Sequence, residues 1–195
     1  MKVFNSLQLI NELIQITESN QDLVKKKCFY LNENQLNWRH SHGSWNILEI
    51  LAHLNDYANY YQPIIKDKLS KTSHNDFKET FVSSPLGRSA WKSMKLGRAN
   101  NVKRKFKAPK NTNPTLEPSL VKGDDVQQFM TNQKDLIELL ENVKNFNLRK
   151  IKVPIAISRL VRLRLGDALM FHIYHNERHI QQVTNILIHP KFPKK

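Results

Sequence analysis

Four segments of this chain repeat apolar residues every three or four positions, and that recurrence restricts the fold more than anything else in it. In "LQLINELIQITESNQDLV", residues 7–24, Leu7, Ile10, Leu13, Ile14 and Thr17 share one helical face. Asn5 or Ser6 can cap this first helix, which is expected to reach about Tyr30. A second pattern starts at Trp45, behind Ser44 as candidate cap. It runs through Ile47, Ile50, Leu51, Leu54, Tyr57, Ala58, Tyr61, Ile64, Ile65 and Leu69. Pro63 lies inside it and should kink it or end it early, because proline removes a helical N–H and crowds the preceding turn. A third helix follows Gly123, with Val126, Phe129, Met130, Leu136, Leu139, Leu140 and Val143 on one side. Asp124 and Asp125 sit at the positive end of its dipole. The fourth is expected from about Leu165 to Ile188, closed by Pro190.

Residues 71–122 show no sustained period and contain Pro85, Pro109, Pro114 and Pro118. A structureless loop of this length is unusual in a compact domain. Short helical turns are expected around "SPLGRSAWKSMKL" and an extended arm around "VKRKFKAPK". The piece "NLRKIKVPIAISRLVRL" has some β character, but it is short and holds Pro154. The expectation is an all-α protein, one domain over residues 1–195. It is a four-helix bundle with a long crossover insertion, irregular and basic over 71–122, between helices two and three.

Composition narrows the function classes. No run of about 18 apolar residues exists, so no segment is expected to span a membrane and no membrane partner is expected. Polar residues interrupt the first 15 positions where a signal peptide needs an apolar core, and Cys28 is the single cysteine; both point to the cytoplasm. Cys28, beside Phe29 at the end of helix one, is expected to be packed and inert. The net charge is +14, concentrated in residues 88–110, with nine Lys or Arg and no acid, and in residues 149–164, with six and no acid. A solvated basic surface explains such runs. An anionic small molecule, polymer or membrane surface is the other reading. Base stacking is not written plainly, since Trp91 and Phe106 are the only aromatics among the basic runs. No serine elbow, phosphate loop or dinucleotide fingerprint is present.

Histidines are unevenly placed. "FHIYHNERHIQQV" holds His172, His175 and His179. Residues i and i+4 of a helix lie about 6 Å apart on the same face, so His175 and His179 can share one metal. His53, between Leu51 and Leu54 on the apolar side of helix two, is costly to bury unless its nitrogens are satisfied. A metal shared with helix four satisfies it; hydrogen-bonded core histidines are the alternative. His172, two turns before His179, reads as lining the cavity or donating to a ligand. Gln182, one turn after His179, can orient that ring. Glu49 and Asp56, one turn either side of His53, can accept its N–H or stand as surface charges, the latter preferred for Asp56. Three protein nitrogens would leave open positions for a substrate or water, and one cysteine excludes a closed thiolate site.

Two of these segments resemble a known family. "SWNILEILAHLNDY" is similar to the second-helix signature of the DinB/YfiT-like family, and "RLGDALMFHIYHNERHIQQV" to its last helix, with H-x-x-x-H followed by Gln. "KAPKNTNP" also matches a linker of one bacterial branch. The resemblance implies a four-helix bundle, commonly a homodimer, with a divalent metal, zinc or nickel, on His53, His175 and His179. It implies an enzyme that joins a low-molecular-weight thiol to a small electrophile, a thiol S-transferase, or a related metal-dependent hydrolase. On the strength of the basic runs alone, Arg88, Arg98 or Arg164 would hold the carboxylates of such a thiol. The basic insertion is not part of the family's core pattern. The alternatives are a non-catalytic metal-binding stress-response protein and a basic nucleic-acid-binding protein.

Overall fold

A computed structural model describes residues 2–97, 99, 101 and 107–194; Arg98 and residues 102–106, the first part of the expected extended arm with Phe106, lie outside the described residues. The long helices are α1 (Ser6–Lys27), α3 (Ile47–Lys71), α5 (Asp125–Val143) and α6 (Leu165–Leu187). A single-turn helix α2 (Glu33–Leu36) follows α1, and α4 (Pro85–Met94) lies in the insertion. Strands β1 (Val3–Asn5) and β2 (Thr80–Val82) pair antiparallel, as do β3 (Lys152–Ile155) and β4 (Ser158–Arg164).

Local chemistry explains the starts. Asn5 caps α1 by accepting from the Gln8 N–H. The cap of α3 is Asn46 rather than Ser44. Asn46 accepts from the Glu49 N–H while Glu49 accepts from the Asn46 N–H, a reciprocal box that Ser44 cannot make at its distance. Ser44 instead closes a turn with Ser41. α3 does not end at Pro63. The ring is exposed, and Asn59, whose carbonyl loses its helical partner there, is exposed too and open to hydration.

α1 packs beside α5 and α6, and α3 also packs beside α5 and α6, so α1 faces α3 across the core. Two apolar clusters fill that core. One joins Leu9–Ile14, Tyr57–Leu69, Leu136–Val143 and Leu165–Tyr174; the other joins Val24, Ile47–Leu54, Phe129 and Ile180–Ile186. Traced through these clusters, α3 and α5 run in the same direction and α6 runs opposite to α3. Asn55 bonding Asp125, and Gln62 bonding Asn132, repeat the parallel order. Parallel neighbours need a connection that returns along the whole helix, about 37 Å for the 25 residues of α3. That is the physical reason for the long insertion.

Within the insertion, β2 and α4 form regular structure, α4 where short helical turns are expected. β2 ties it to the N-terminus, with Phe4 stacked on Phe81 at 6.1 Å. α4 lies on α6, its buried Trp91 donating from Nε1 to the Ser83 Oγ. Gly87 permits the approach, because a Cβ there would sit 2.1 Å from the Asp167 carboxylate carbon. The segment of weak β character is the β3–β4 hairpin, held over α3 by Tyr60 donating to the Ile155 carbonyl and by the Ala156 N–H donating to the Tyr61 hydroxyl. Among the described residues no helix is long and apolar enough to cross a membrane.

Candidate metal centre

The capping box sets where α3 begins, and with it the face on which His53 falls. α6, antiparallel to α3, presents His175 and His179 one turn apart to that face. The three side chains are buried where the two apolar clusters meet, and one ligand nitrogen from each lies within 4.8 Å of the other two. The ring centroids are 4.6–5.0 Å apart.

Hydrogen bonds orient the rings. His53 Nδ1 is 2.6 Å from the Thr112 carbonyl. A carbonyl only accepts, so Nδ1 carries the proton and Nε2 is a lone pair. His179 Nδ1 is 2.8 Å from Gln182 Oε1, which leaves its Nε2 a lone pair as well. His53 Nε2 lies 3.2 Å from His175 Nε2, and His175 Nδ1 has no protein partner among the described residues. Aromatic rings wall the cluster. Trp45 stacks on His179 at 5.8 Å, and Tyr57 and Phe171 stack on His175 at 4.3 and 6.0 Å.

Electrostatics keep the rings neutral. Burial pulls His53 down to about 4, a shift only partly opposed by the Thr112 carbonyl. Burial likewise holds His175 and His179 well below their ordinary value; their mutual neighbours and the Arg178 charge add to it. Neutral imidazoles with nitrogens gathered within 4.8 Å of one another, two of them offering Nε2 lone pairs, in a place that rejects protons, form a donor set that fits a divalent cation.

The other sequence candidates fall differently. Gln182 reaches His179, as stated. Glu49 does not reach His53: besides the α3 box it binds Arg39 through both oxygens at 2.6 Å, and the Thr112 carbonyl takes the place expected of it. Asp56 is half-buried, and burial raises its carboxyl. His172 is fully buried against Tyr61, 5.3 Å between rings, and neither nitrogen has a protein partner among the described residues. Burial takes it to about 4, and it stands outside the three-nitrogen group. Arg164 donates to the Val82 carbonyl at the start of α6, eleven residues or about 16 Å along the axis from His175, too far to serve a ligand there. Arg88 is half-buried on α4. Cys28 is buried, its thiol pushed up to about 12.

Tyr57, the Asn46–Glu49 box and Thr112 are among the contributors that the sequence candidates omit. Tyr57 stands one turn after His53 on the same helix, and Asn46–Glu49 has the spacing of a capping box, so both were legible. Thr112, arriving from the insertion, left no local signal.

A helical bundle that buries three neutral imidazoles from two antiparallel helices is the class defined by fold and site. The family model of the DinB superfamily matches residues 28–183, and the chain belongs to that superfamily. Among solved structures, it is similar to YfiT from Bacillus subtilis, described as "a probable metal-dependent hydrolase with an unusual four-helix bundle topology". The TM-score is 0.56 at 13% identity, over 91% of this chain and 85% of that one, a likeness of fold. No curated protein matches the chain.

Proposed function

We propose that this protein is a metal-dependent enzyme holding a divalent ion, zinc or nickel, on His53, His175 and His179, and that it transfers a low-molecular-weight thiol to a small electrophile. One observation carries the reading: three buried imidazoles, kept neutral, direct nitrogens within 4.8 Å of one another, two of them oriented by partners on their far side. A metal on three protein nitrogens keeps positions open and lowers the pKa of a thiol or water bound there.

The chain's own residues do the rest. The Thr112 carbonyl and Gln182 hold two rings in the tautomer that offers Nε2. The Arg178 charge, felt at both His175 and His179, favours an anionic nucleophile in the site. Trp45, Tyr57 and Phe171 supply apolar walls for an electrophile and keep water out. A hydrolase, with water as nucleophile, is the second reading, motivated by the description of the YfiT fold neighbour. The working form proposed is a homodimer in the cytoplasm.

Metal content by mass spectrometry on wild type and His175→Ala tests the centre. About one ion per chain is expected in the wild type and most of it lost in the variant; equal content in both refutes it. Conjugation of a thiol to a generic aromatic electrophile, compared in metal-loaded and chelated protein, tests the transfer. Equal rates reject it, and loaded protein that hydrolyses esters without conjugating thiols selects the second reading.

A further inference from the structure

We propose that the β3–β4 hairpin is a docking surface for membranes rich in anionic lipid. The inference is independent of the metal centre. The antiparallel register sets Lys152 opposite Arg164 and Pro154 opposite Arg162. Along β4 the two-residue period puts Arg162 and Arg164 on one face, while Leu163, with Val153 across from it, is buried beneath; Leu160 lies in the bulged end of the strand, where the register shifts. The outer face of the hairpin is therefore cations followed by an apolar tip. Leu160 is 94% exposed and Ile157, in the turn, 68%.

Two features of this face work against folding stability. Like charges directly opposite on an antiparallel pair are destabilising, yet Lys152 faces Arg164. Arg149, Lys150, Lys152 and Arg164 alone line a depression of about 300 Å³. Among the described residues none of these four, nor Arg162, forms an ion pair with a carboxylate. The nearby acid, Asp167, spends its oxygens on Ser83 and Ser84. An anion from outside would relieve that repulsion, and the depression suits a phosphate headgroup.

The apolar tip chooses between polyanions. Nucleic acid would satisfy the cations but give nothing to Ile157 and Leu160, and residues 149–164 contain no aromatic side chain on which a base could stack. A bilayer interface takes both, since headgroups meet the cations while the tip enters the acyl boundary. A peripheral contact of this kind needs no spanning segment, the only membrane mode that the chain's hydropathy addresses.

The test is co-sedimentation of the full chain with vesicles of phosphatidylcholine alone and of phosphatidylcholine mixed equally with phosphatidylglycerol. Partition into the anionic vesicles only is expected. Lys152→Gln with Arg162→Gln should lower the partition coefficient about 30-fold. Ile157→Asn with Leu160→Asn should lower it about tenfold, with the melting curve unchanged. Equal binding to both vesicles overturns the proposal. So does anionic binding indifferent to the apolar pair, which is bulk attraction to a +14 chain. Duplex DNA binding in place of vesicle binding assigns the face to nucleic acid. A dimer that the Leu160 variant dissociates, without vesicle binding, assigns it to a second copy of the chain.

Discussion

Acidifying the metal-free protein from pH 7 to 5.5 should remove at least about 2.5 kcal/mol of its stability. His53, His172, His175 and His179 are all buried and all depressed by burial, His53 and His172 to about 4 and the other two well below the ordinary value of 6.5. The sign follows from linkage. A group whose folded pKa is depressed contributes stability above its unfolded pKa, and that stability is lost as pH falls toward the folded value. At pH 5.5 the unfolded chain has protonated these rings and the folded chain has not. His53 and His172 then each favour unfolding by about 1.25 kcal/mol more than at pH 7, about 2.5 kcal/mol together, and the depressed His175 and His179 act in the same direction. Native domains hold about 5–15 kcal/mol in all. The window stops at 5.5 because Asp56 and Glu177, raised by burial, bind protons in the folded state lower down and oppose the trend. Urea unfolding followed by circular dichroism, in chelator, at half-unit steps of pH gives the slope directly. It should reach at least about two protons toward pH 5.5, and His172→Leu should lower it by one. A slope of one proton or less would refute the burial argument for the whole cluster.

Two further outcomes are expected. Gln182→Leu removes the acceptor that orients His179 and should weaken metal binding about 10–100-fold in a competition assay with a chelating dye, without altering helicity; unchanged affinity would mean that the ring needs no second partner. Cys28, buried with its thiol pushed up to about 12, should resist a disulfide reagent at pH 8 in the native protein and react at once in denaturant; rapid native labelling would contradict its packing.

The histidines show how far local pattern reaches. His175 and His179 share a helix, so the 3.6-residue period alone places them together, and Leu51 and Leu54 around His53 place that ring inside. The partner of each second nitrogen is a different matter. Gln182 lies one turn from His179 and was readable. Glu49 lies one turn from His53 and looked equally suited, but the cap of its own helix and Arg39 claimed it. The carbonyl that serves His53 comes from Thr112, 59 residues away.

The sequence by itself determined four amphipathic helices, their approximate limits and the three imidazoles with a chance of meeting, because helical spacing and caps act within a few residues. Only the tertiary structure decided that α3 runs through Pro63, that α3 and α5 are parallel neighbours bridged by an insertion carrying β2 and α4, and that a basic hairpin stands with Leu160 in water. Those outcomes depend on which distant surfaces cover one another. Burial and long-range pairing are settled by packing the whole chain, and no local run of residues encodes them.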